Sequence, residues 1–531
     1  MKKYLMPALV VAGVLTGLLI GLTINEKNQP DNTIDIFGQL PQRNSKIEEL
    51  IYYMKAYYVD TLNIDSISEE AVKQLVTTLD PHSDYIPAKD LDDFNSDFEG
   101  SFSGIGVQFN IQNDTVCFVG VISGGPSEAV GILNGDKLIM VDDSSFVGKH
   151  INNEKVMHTL RGEKSTKVKL TVQRNGTAEP LEFTVTRGDI PVHSVVAKFM
   201  IEPKIGFIKV DKFSNTTYNE FIEALAELKN NGAEKYIIDL RGNPGGLMDQ
   251  AVNMCNEFLE KGSMIVYAKG KQYPYSASTA NGMGRFKKQP IAVLIDEYSA
   301  SASEIFSGAM QDNDRATIIG RRSFGKGLVQ QVFPLSDQSA VKLTVARYYM
   351  PSGRCIQKPY KMGDQLDYMT ELYERYETGE IYTQDSIKED TVVYKTKGGR
   401  IVHGGGGVMP DIFVGSDTTF FSKYYKKVVN RNFVYQFAYK YTDRHRDQLN
   451  SFNTWQTLEQ HLRKQPLLSE FVTFAKGKGE TPSDKDLKTS GSQIESMIRM
   501  YIVRNILNDA GFYPLYMRDD DIAQRAVKEL R

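Results

Sequence analysis

The stretch IAVLIDEYSASASEIFSGAM, residues 291–310, passes directly from a strand pattern into a helix pattern. Ile291 to Ile295 are all apolar, as in a buried strand, and residues 305–310 continue as a helix. Ser301 therefore stands at a strand-to-helix turn. At such a turn a side chain projects from a rigid support, and the free N–H groups at the start of the helix can face an anion.

Serine is a poor nucleophile without a base, and no histidine of the chain stands in a recognisable triad context with Ser301. The chain also lacks the Gly-x-Ser-x-Gly elbow and the Gly-Asn-Ser-Gly-Gly motif of trypsin-like enzymes. Downstream, SFGKG (residues 323–327) supplies Lys326, and a lysine held neutral by burial can serve as the base. The alternative is structural: the serines cap the helix, and Gly-Lys-Gly forms a solvated turn.

A third segment, DLRGNPGGL (residues 239–247), joins another apolar run to another helix start. A glycine-rich turn at the end of a strand presents backbone N–H groups outward, which suits an oxyanion. The alternative is a tight connection in which Pro-Gly-Gly only satisfies the backbone geometry.

Together these segments resemble the C-terminal processing peptidases, also called tail-specific proteases. The resemblance spans roughly residues 75–415 and depends on the order and spacing of five motifs. The motifs are RGNPGG (241–246), SASASEI (299–305), FGKGLVQ (324–330), YYMPSGR (348–354) and GGGGVMPD (404–411). The resemblance implies an α/β serine peptidase core. The sequence contains no metal-ligand spacing, so we expect no metal and no cofactor.

Residues 99–188 resemble a PDZ domain. The motif SGIGVQF (103–109) is similar to its carboxylate-binding loop, and alternating apolar residues after 167 complete the strand pattern. Successive N–H groups of such a loop can hold a chain-terminal carboxylate, while the edge of the sheet adds the peptide as a strand. The implied peptide-binding residues are Gly104, Ile105, Gly106 and Val107. The alternative is a PDZ-like spacer that binds nothing.

The family resemblance implies three catalytic side chains. Ser301, the middle serine of its run, is the nucleophile, Lys326 is the general base, and Gln330 supports the lysine. The predicted function is a serine endopeptidase that recognises proteins with exposed C-terminal tails through its PDZ domain. The alternative from another functional class is a catalytically idle PDZ scaffold that only binds such tails.

The resemblance also implies an oxyanion hole made of backbone amides. One amide comes from the residue after the nucleophile, Ala302. The other comes from the Pro-Gly-Gly turn and belongs to Gly245, with Gly246 as the alternative.

A nucleotide-binding loop is a distant third interpretation. Residues 320–327, GRRSFGKG, are one residue short of a P-loop, and Gly327 stands where that motif needs Ser or Thr. The following residues, LVQQVFP (328–334), predict a strand rather than the helix that a P-loop opens.

Composition narrows the partners of the chain. The 531 residues carry a net charge of −3, which does not suggest nucleic-acid binding. The three cysteines are widely spaced and form neither a metal-ligand cluster nor a disulfide framework.

The N-terminus predicts a membrane segment. Lys2 and Lys3 precede the 22 uncharged residues from Tyr4 to Asn25, enough to span a bilayer. The flanking lysines favour the cytoplasmic side, so the expected localisation is the inner membrane, with a single span and the bulk of the chain in the periplasm. The alternative is a cleaved signal and a soluble periplasmic protein.

The predicted fold class is multidomain α+β, with an N-terminal helical segment, a PDZ domain, an α/β peptidase core of the tail-specific protease type and a C-terminal helical region. Residues 476–493, rich in Gly, Lys and Ser, predict a flexible loop, and the aromatic-rich C-terminal region suggests either a homodimer or plain core packing. The predicted domains are 1–26 (anchor or signal), 27–44 (linker), 45–98 (helical), 99–188 (PDZ), 189–416 (peptidase core, with an insertion near 361–400) and 417–531 (helical).

Overall fold

The computed structural model describes residues 45–112, 114–122, 124–363, 365–387 and 392–531. The predicted segments 1–26 and 27–44 lie outside these residues. Within the described ranges, no helix combines the length and the apolar character that a bilayer crossing requires. This finding contradicts the predicted inner-membrane localisation with a single span, and the prediction is corrected accordingly.

Of the described residues, 45–71 belong to one compact unit and those from 72 onward to a second. The first elements along the chain are α1 (Lys46–Tyr57), α2 (Ile64–Thr77), β1 (Asp84–Ile86) and α3 (Leu91–Glu99). Asp80 fixes the turn before β1, because its carboxylate accepts hydrogen bonds from the His82 and Ser83 amides and from the Ser83 hydroxyl.

An antiparallel region with its own core follows α3. Its elements are β2 (Ser101–Gly104), β3 (Val107–Gln112), β4 (Thr115–Val121), α4 (Pro126–Ala129), β5 (Lys137–Val141), β6 (Ser144–Ser145), α5 (Asn153–Leu160), β7 (Lys167–Gln173), β8 (Leu181–Thr186) and β9 (Gly188–Pro191). The larger sheet has the order β3-β4-β5-β7-β8, with β6 beside β5, and β2 pairs with β9. β3 is therefore an edge strand of the sheet that surrounds Phe118, Leu138 and Val156.

The next region is an α/β core. Its elements are β10 (Val195–Glu202), β11 (Ile205–Val210), α6 (Thr217–Asn230), β12 (Lys235–Asp239), α7 (Met248–Asn256), β13 (Met264–Lys269), β14 (Ser276–Thr279), β15 (Ile291–Ile295), α8 (Ala302–Asp312), β16 (Thr317–Gly320), β17 (Leu328–Pro334), β18 (Ala340–Tyr349), α9 (Gln365–Glu377), β19 (Val393–Lys395), β20 (Ile401–His403) and β21 (Ile412–Phe413). The strand β17 lies where the sequence predicts a strand after Gly-Lys-Gly, so the segment lacks the helix of a P-loop.

The central sheet of this core positions the candidate site. Its order is β10-β11-β12-β15-β16-β21, and all strands after β10 run parallel. Because the carboxyl ends of parallel strands meet at one edge, the turns after β12 and β15 come together there. These turns contain residues 240–247 and 296–301. A second sheet, β1-β18-β13-β14 with β17 beside β18, carries the segment after Lys326.

The C-terminal region is helical. Its helices are α10 (Lys423–Asn430), α11 (Phe433–Arg444), α12 (Arg446–Leu449), α13 (Trp455–Leu462), α14 (Leu467–Gly477), α15 (Asp484–Arg518) and α16 (Asp521–Leu530). The aromatic side chains of this region pack into a core of their own, around Phe437 and Phe471. The predicted homodimer gains no support from that packing and stays a prediction.

The last helix, α16, packs against the central sheet. Ile522, Ala526 and Leu530 join a buried cluster with Phe207 and Leu294. The neighbouring strand residues Ile208 and Val293 belong to the other cluster, which contains α6, α7 and α8. Since adjacent strand residues point to opposite faces, α16 covers one face of the sheet and those three helices cover the other.

The predicted flexible loop at 476–493 is wrong in its second half, because α15 begins at Asp484. Ser483 and Asp486 form a capping box: the Ser483 amide donates to the Asp486 carboxylate at 3.0 Å, and the Asp486 amide donates to the Ser483 hydroxyl at 3.2 Å. The polar composition of this segment led to the loop prediction, whereas the capping box marks the start of a helix.

Candidate active site

Ser301 lies where β15 passes into α8. Its backbone has φ 54° and ψ −113°, a strained combination for a residue with a Cβ. The two neighbouring serines are buried and engaged, since the Ser299 hydroxyl donates to the Leu240 carbonyl at 2.8 Å and the Ser303 hydroxyl donates to the Asn243 carbonyl at 3.0 Å. Ser301 is only half-buried and lines a cavity of about 710 Å³. Of the three serines it is the one that the cavity reaches.

Lys326 lines the same cavity. Its Nζ donates to Gln330 Oε1 at 3.0 Å. Burial and then the positive charge of Lys342 lower the pKa of Lys326 to about 8, while the carboxylates of Glu304 and Asp80 oppose that shift. A lysine with such a pKa is partly neutral near neutral pH, and the neutral amine is the form that accepts a proton.

Tyr348 on β18 connects the two candidate catalytic residues. Its buried hydroxyl lies within hydrogen-bond distance of the Ser301 carbonyl, at 3.2 Å, and contacts the Lys326 carbonyl. The structure therefore brings Ser301 and Lys326 to one cavity and ties both of their backbones to one side chain.

Gln330 is oriented from its far end. Its Nε2 donates to the His82 carbonyl at 2.5 Å, which leaves its Oε1 facing Lys326. The His82 ring lies 2.8 Å from the Tyr368 hydroxyl. Burial and then the charge of Lys326 lower the pKa of His82 to about 3, so the ring is neutral near pH 7. His82 thus contributes to the site through its backbone rather than as a base.

Glu304 joins the serine turn to the lysine loop. Its Oε2 accepts hydrogen bonds from the Ser301 amide at 2.8 Å and the Lys326 amide at 2.9 Å. Its Oε1 accepts from the Ser323 hydroxyl at 2.5 Å and the Gly325 amide at 2.8 Å. Complete burial raises the pKa of Glu304 to about 7, and the four donors favour the charged carboxylate and so oppose that rise.

The Pro-Gly-Gly turn packs directly on Ser301. A Cβ on Gly245 would lie 2.7 Å from the Ser301 Cβ and 2.9 Å from the Ala302 nitrogen, so only glycine fits there. The Gly245 amide donates to Asn243 Oδ1 at 2.8 Å and is occupied. Among the residues that the structure describes, the Gly246 and Ala302 amides have no protein acceptor. The oxyanion hole stays a prediction, and this geometry favours Gly246 over Gly245 as its first donor.

The predicted peptide-binding loop lies between β2 and the edge strand β3. The Ile105 carbonyl accepts from the Ser127 amide and the Gly106 carbonyl accepts from the Ile122 amide, both at 3.0 Å. Within the described part of the chain, the Ile105 and Gly106 amides donate to no protein group. Gly104 ends β2 and Val107 begins β3, so the open amides adjoin a free strand edge. That arrangement suits a terminal carboxylate followed by an added strand.

Sequence reasoning missed four contributors to the site: Glu304, Tyr348, Asn243 and the His82 carbonyl. The spacing of Ser301 and Glu304 matches a capping box, which was an available signal for the glutamate. Tyr348 is 47 residues from Ser301, and no local pattern indicates that they meet.

Three family models match parts of the chain. They are peptidase family S41 at residues 204–365, a PDZ domain at residues 103–185 and a family of unknown function at residues 424–508.

Curated relatives and solved structures extend this comparison. The carboxy-terminal-processing protease of Bartonella bacilliformis is 34% identical over 356 residues, which cover 65% of this chain and 79% of that protein. The carboxy-terminal processing protease CtpA of Bacillus subtilis is 35% identical over 314 residues, which cover 59% of this chain and 66% of that protein. The structure of a photosystem II D1 C-terminal processing protease aligns with 23% identity and a TM-score of 0.38, over 70% of this chain and 87% of the other.

Proposed function

The chain belongs to peptidase family S41 and, within it, to the PDZ-containing C-terminal processing peptidases, and from that premise we propose that it is a serine endopeptidase with a Ser301–Lys326 dyad. One observation carries the assignment of the residues. Ser301 and Lys326 line the same cavity, and the Tyr348 hydroxyl contacts the backbone carbonyls of both. The idle scaffold is less well supported, because the relatives are proteases.

In the proposed mechanism the neutral Lys326 amine takes the proton of the Ser301 hydroxyl as the serine oxygen attacks the scissile carbonyl carbon. The carbonyl oxygen becomes an oxyanion that the amides of Ala302 and Gly246 stabilise. The Lys326 ammonium then returns its proton to the leaving amine. Water, deprotonated by the same lysine, hydrolyses the acyl-enzyme and frees Ser301.

Gln330 is proposed as a positioning residue for the base. Because its amide nitrogen is anchored on the His82 carbonyl, its oxygen accepts a hydrogen bond from Lys326 and fixes the direction of the amine. The PDZ region is proposed to hold the free C-terminus of the substrate through residues 104–107 while an upstream segment reaches the cavity.

The test is cleavage of a protein with an apolar, unstructured C-terminal tail by the wild-type chain and single variants. Ser301→Ala should lower kcat by several orders of magnitude because it removes the nucleophile. Lys326→Arg should be as inactive as Lys326→Ala, since a guanidinium does not lose its proton.

Ser303→Ala is the matched control, because Ser303 lies in the same run and its hydroxyl bonds the Asn243 carbonyl. It should retain most of the activity. If Ser303→Ala were inactive and Ser301→Ala active, the nucleophile would be misassigned, and normal turnover of Lys326→Arg would remove the lysine from the role of base.

A further inference from the structure

The charged side chains that line the active-site cavity, among the residues that the structure describes, are all lysines. Besides Lys326, the lysines Lys212 and Lys342 line it. Among the residues that the structure describes, no Asp or Glu lines this cavity, whose other side chains are apolar or uncharged. A substrate group with negative charge is therefore attracted to it.

Lys342 belongs to the cavity through its place on β18. Lys342 and Tyr348 both line the cavity, whereas Arg347 on the same strand is exposed and is not part of the lining. The Lys342 ammonium lies 5.8 Å from the centre of the Phe94 ring. Asp84 is its register partner on β1, but no ion pair within 4.0 Å links Lys342 to a carboxylate among the described residues.

The charge of Lys342 already acts inside the cavity, because it is one cause of the lowered pKa of Lys326. Two ammonium groups that share a partly buried space repel each other, and a bound anion relieves that repulsion. The reaction does not require a second lysine for proton transfer, so Lys342 is available to bind substrate.

We propose that Lys342 binds a carboxylate of the substrate, so that the enzyme favours tails carrying this group within a few residues of the scissile bond. The inference rests on the proposed endopeptidase function and names its substrate class. An acidic side chain and the free C-terminus of a short tail present the same anion, and the experiment separates these two sources.

The experiment uses the full chain and pairs of peptides that differ only by Glu or Gln at successive positions around an apolar cleavage residue. Each peptide is made with a free and with an amidated C-terminus, and kcat/KM is measured for every pair. The wild type should prefer Glu over Gln at one position, or the free acid over the amide, by about tenfold, as expected for a partly exposed charge-assisted hydrogen bond.

Lys342→Gln should reduce the Glu-over-Gln ratio to about one and the acid-over-amide ratio to the part that the PDZ loop contributes, and Lys342→Glu should favour a peptide with Lys at that position. The ratio within a peptide pair is the readout, since removing Lys342 also raises the pKa of Lys326 but affects both peptides equally. Arg347→Gln, at an exposed position of the same strand outside the cavity lining, should retain the wild-type ratio.

If the Glu-over-Gln preference persists in amidated peptides, Lys342 binds an acidic side chain. If amidation lowers kcat/KM more in the wild type than in Lys342→Gln, Lys342 binds the C-terminal carboxylate. Equal rates for all pairs in the wild type, or an unchanged preference in Lys342→Gln, would overturn the inference. In both cases the peptides are still cleaved in a Ser301-dependent manner. A failure of the proposed function differs, because then no peptide is cleaved faster by the wild type than by Ser301→Ala.

Discussion

Glu304 is the residue on which the two halves of the candidate dyad depend. Glu304 is the acceptor in all four of its hydrogen bonds, and each carboxylate oxygen accepts two of them. In Glu304→Gln one oxygen becomes an NH₂ group that faces two donors, and each unsatisfied donor costs about 1–3 kcal/mol. We expect kcat to fall by at least about tenfold while substrate binding by the PDZ region is unchanged.

We also expect Glu304→Gln to change the pH dependence of cleavage. Wild-type cleavage should rise with pH through about 8, because Lys326 accepts a proton only in its neutral form. The negative charge of Glu304 raises the pKa of Lys326, so its removal should move this rise to lower pH. Glu257→Gln makes the same change at another buried glutamate outside the cavity and should leave the pH profile in place. A profile unaltered in Glu304→Gln would separate Glu304 from the base.

At the scale of an element, the loop between β2 and β3 depends on Gly106. Its φ is +77°, and a Cβ there would lie 3.0 Å from Ile190 Cδ1. Gly106→Ala should therefore strain the loop and misplace its open amides. We expect at least about tenfold weaker binding of a peptide with a free C-terminus, by calorimetry on the full chain, and little difference between that peptide and its amide.

Gly176→Ala is the matched control in the same region. Gly176 also has a positive φ, of +87°, but no atom lies within 4 Å of the position its Cβ would take. This variant carries the same backbone strain without changing the loop, so it should bind the free-acid peptide like the wild type. If both alanine variants weakened binding equally, the effect would be a general loss of stability rather than a loss of the carboxylate site.

At the scale of the whole molecule, α16 links the end of the chain to the peptidase core. Asp520 caps this helix and accepts two hydrogen bonds from Arg241, at 2.8 and 2.9 Å, and Arg241 opens the turn that packs on Ser301. Ala526 is fully buried against the central sheet. Ala526→Asp should bury an unpaired charge at a cost of several kcal/mol, lower the melting temperature and abolish cleavage.

Lys528→Asp introduces the same side chain on the exposed face of α16. It should cost no more than about 1 kcal/mol, from the unfavourable interaction with the helix dipole, and leave cleavage intact. Thermal melts and cleavage assays on both variants test whether the peptidase core requires α16. An active, stable Ala526→Asp protein would show that the core does not need this helix.

The sequence alone predicted the fold class and the family, and both are confirmed. Such features are local: the apolar run before Ser301 and the glycines of the Pro-Gly-Gly turn express constraints that act over a few residues. Local pattern failed at α15, because Gly, Lys and Ser suggest a loop until the capping pair at Ser483 and Asp486 is recognised.

The tertiary structure decided which groups meet. The pKa of Lys326 depends on burial and on Lys342 and Glu304, and the direction of its amine depends on Gln330 held by the His82 carbonyl. Only packing shows that the Gly245 amide is occupied while that of Gly246 is open, and that a distant C-terminal helix covers the central sheet. Burial, electrostatic interaction and hydrogen-bond occupancy are sums over neighbours in space, so residue spacing along the chain does not determine them.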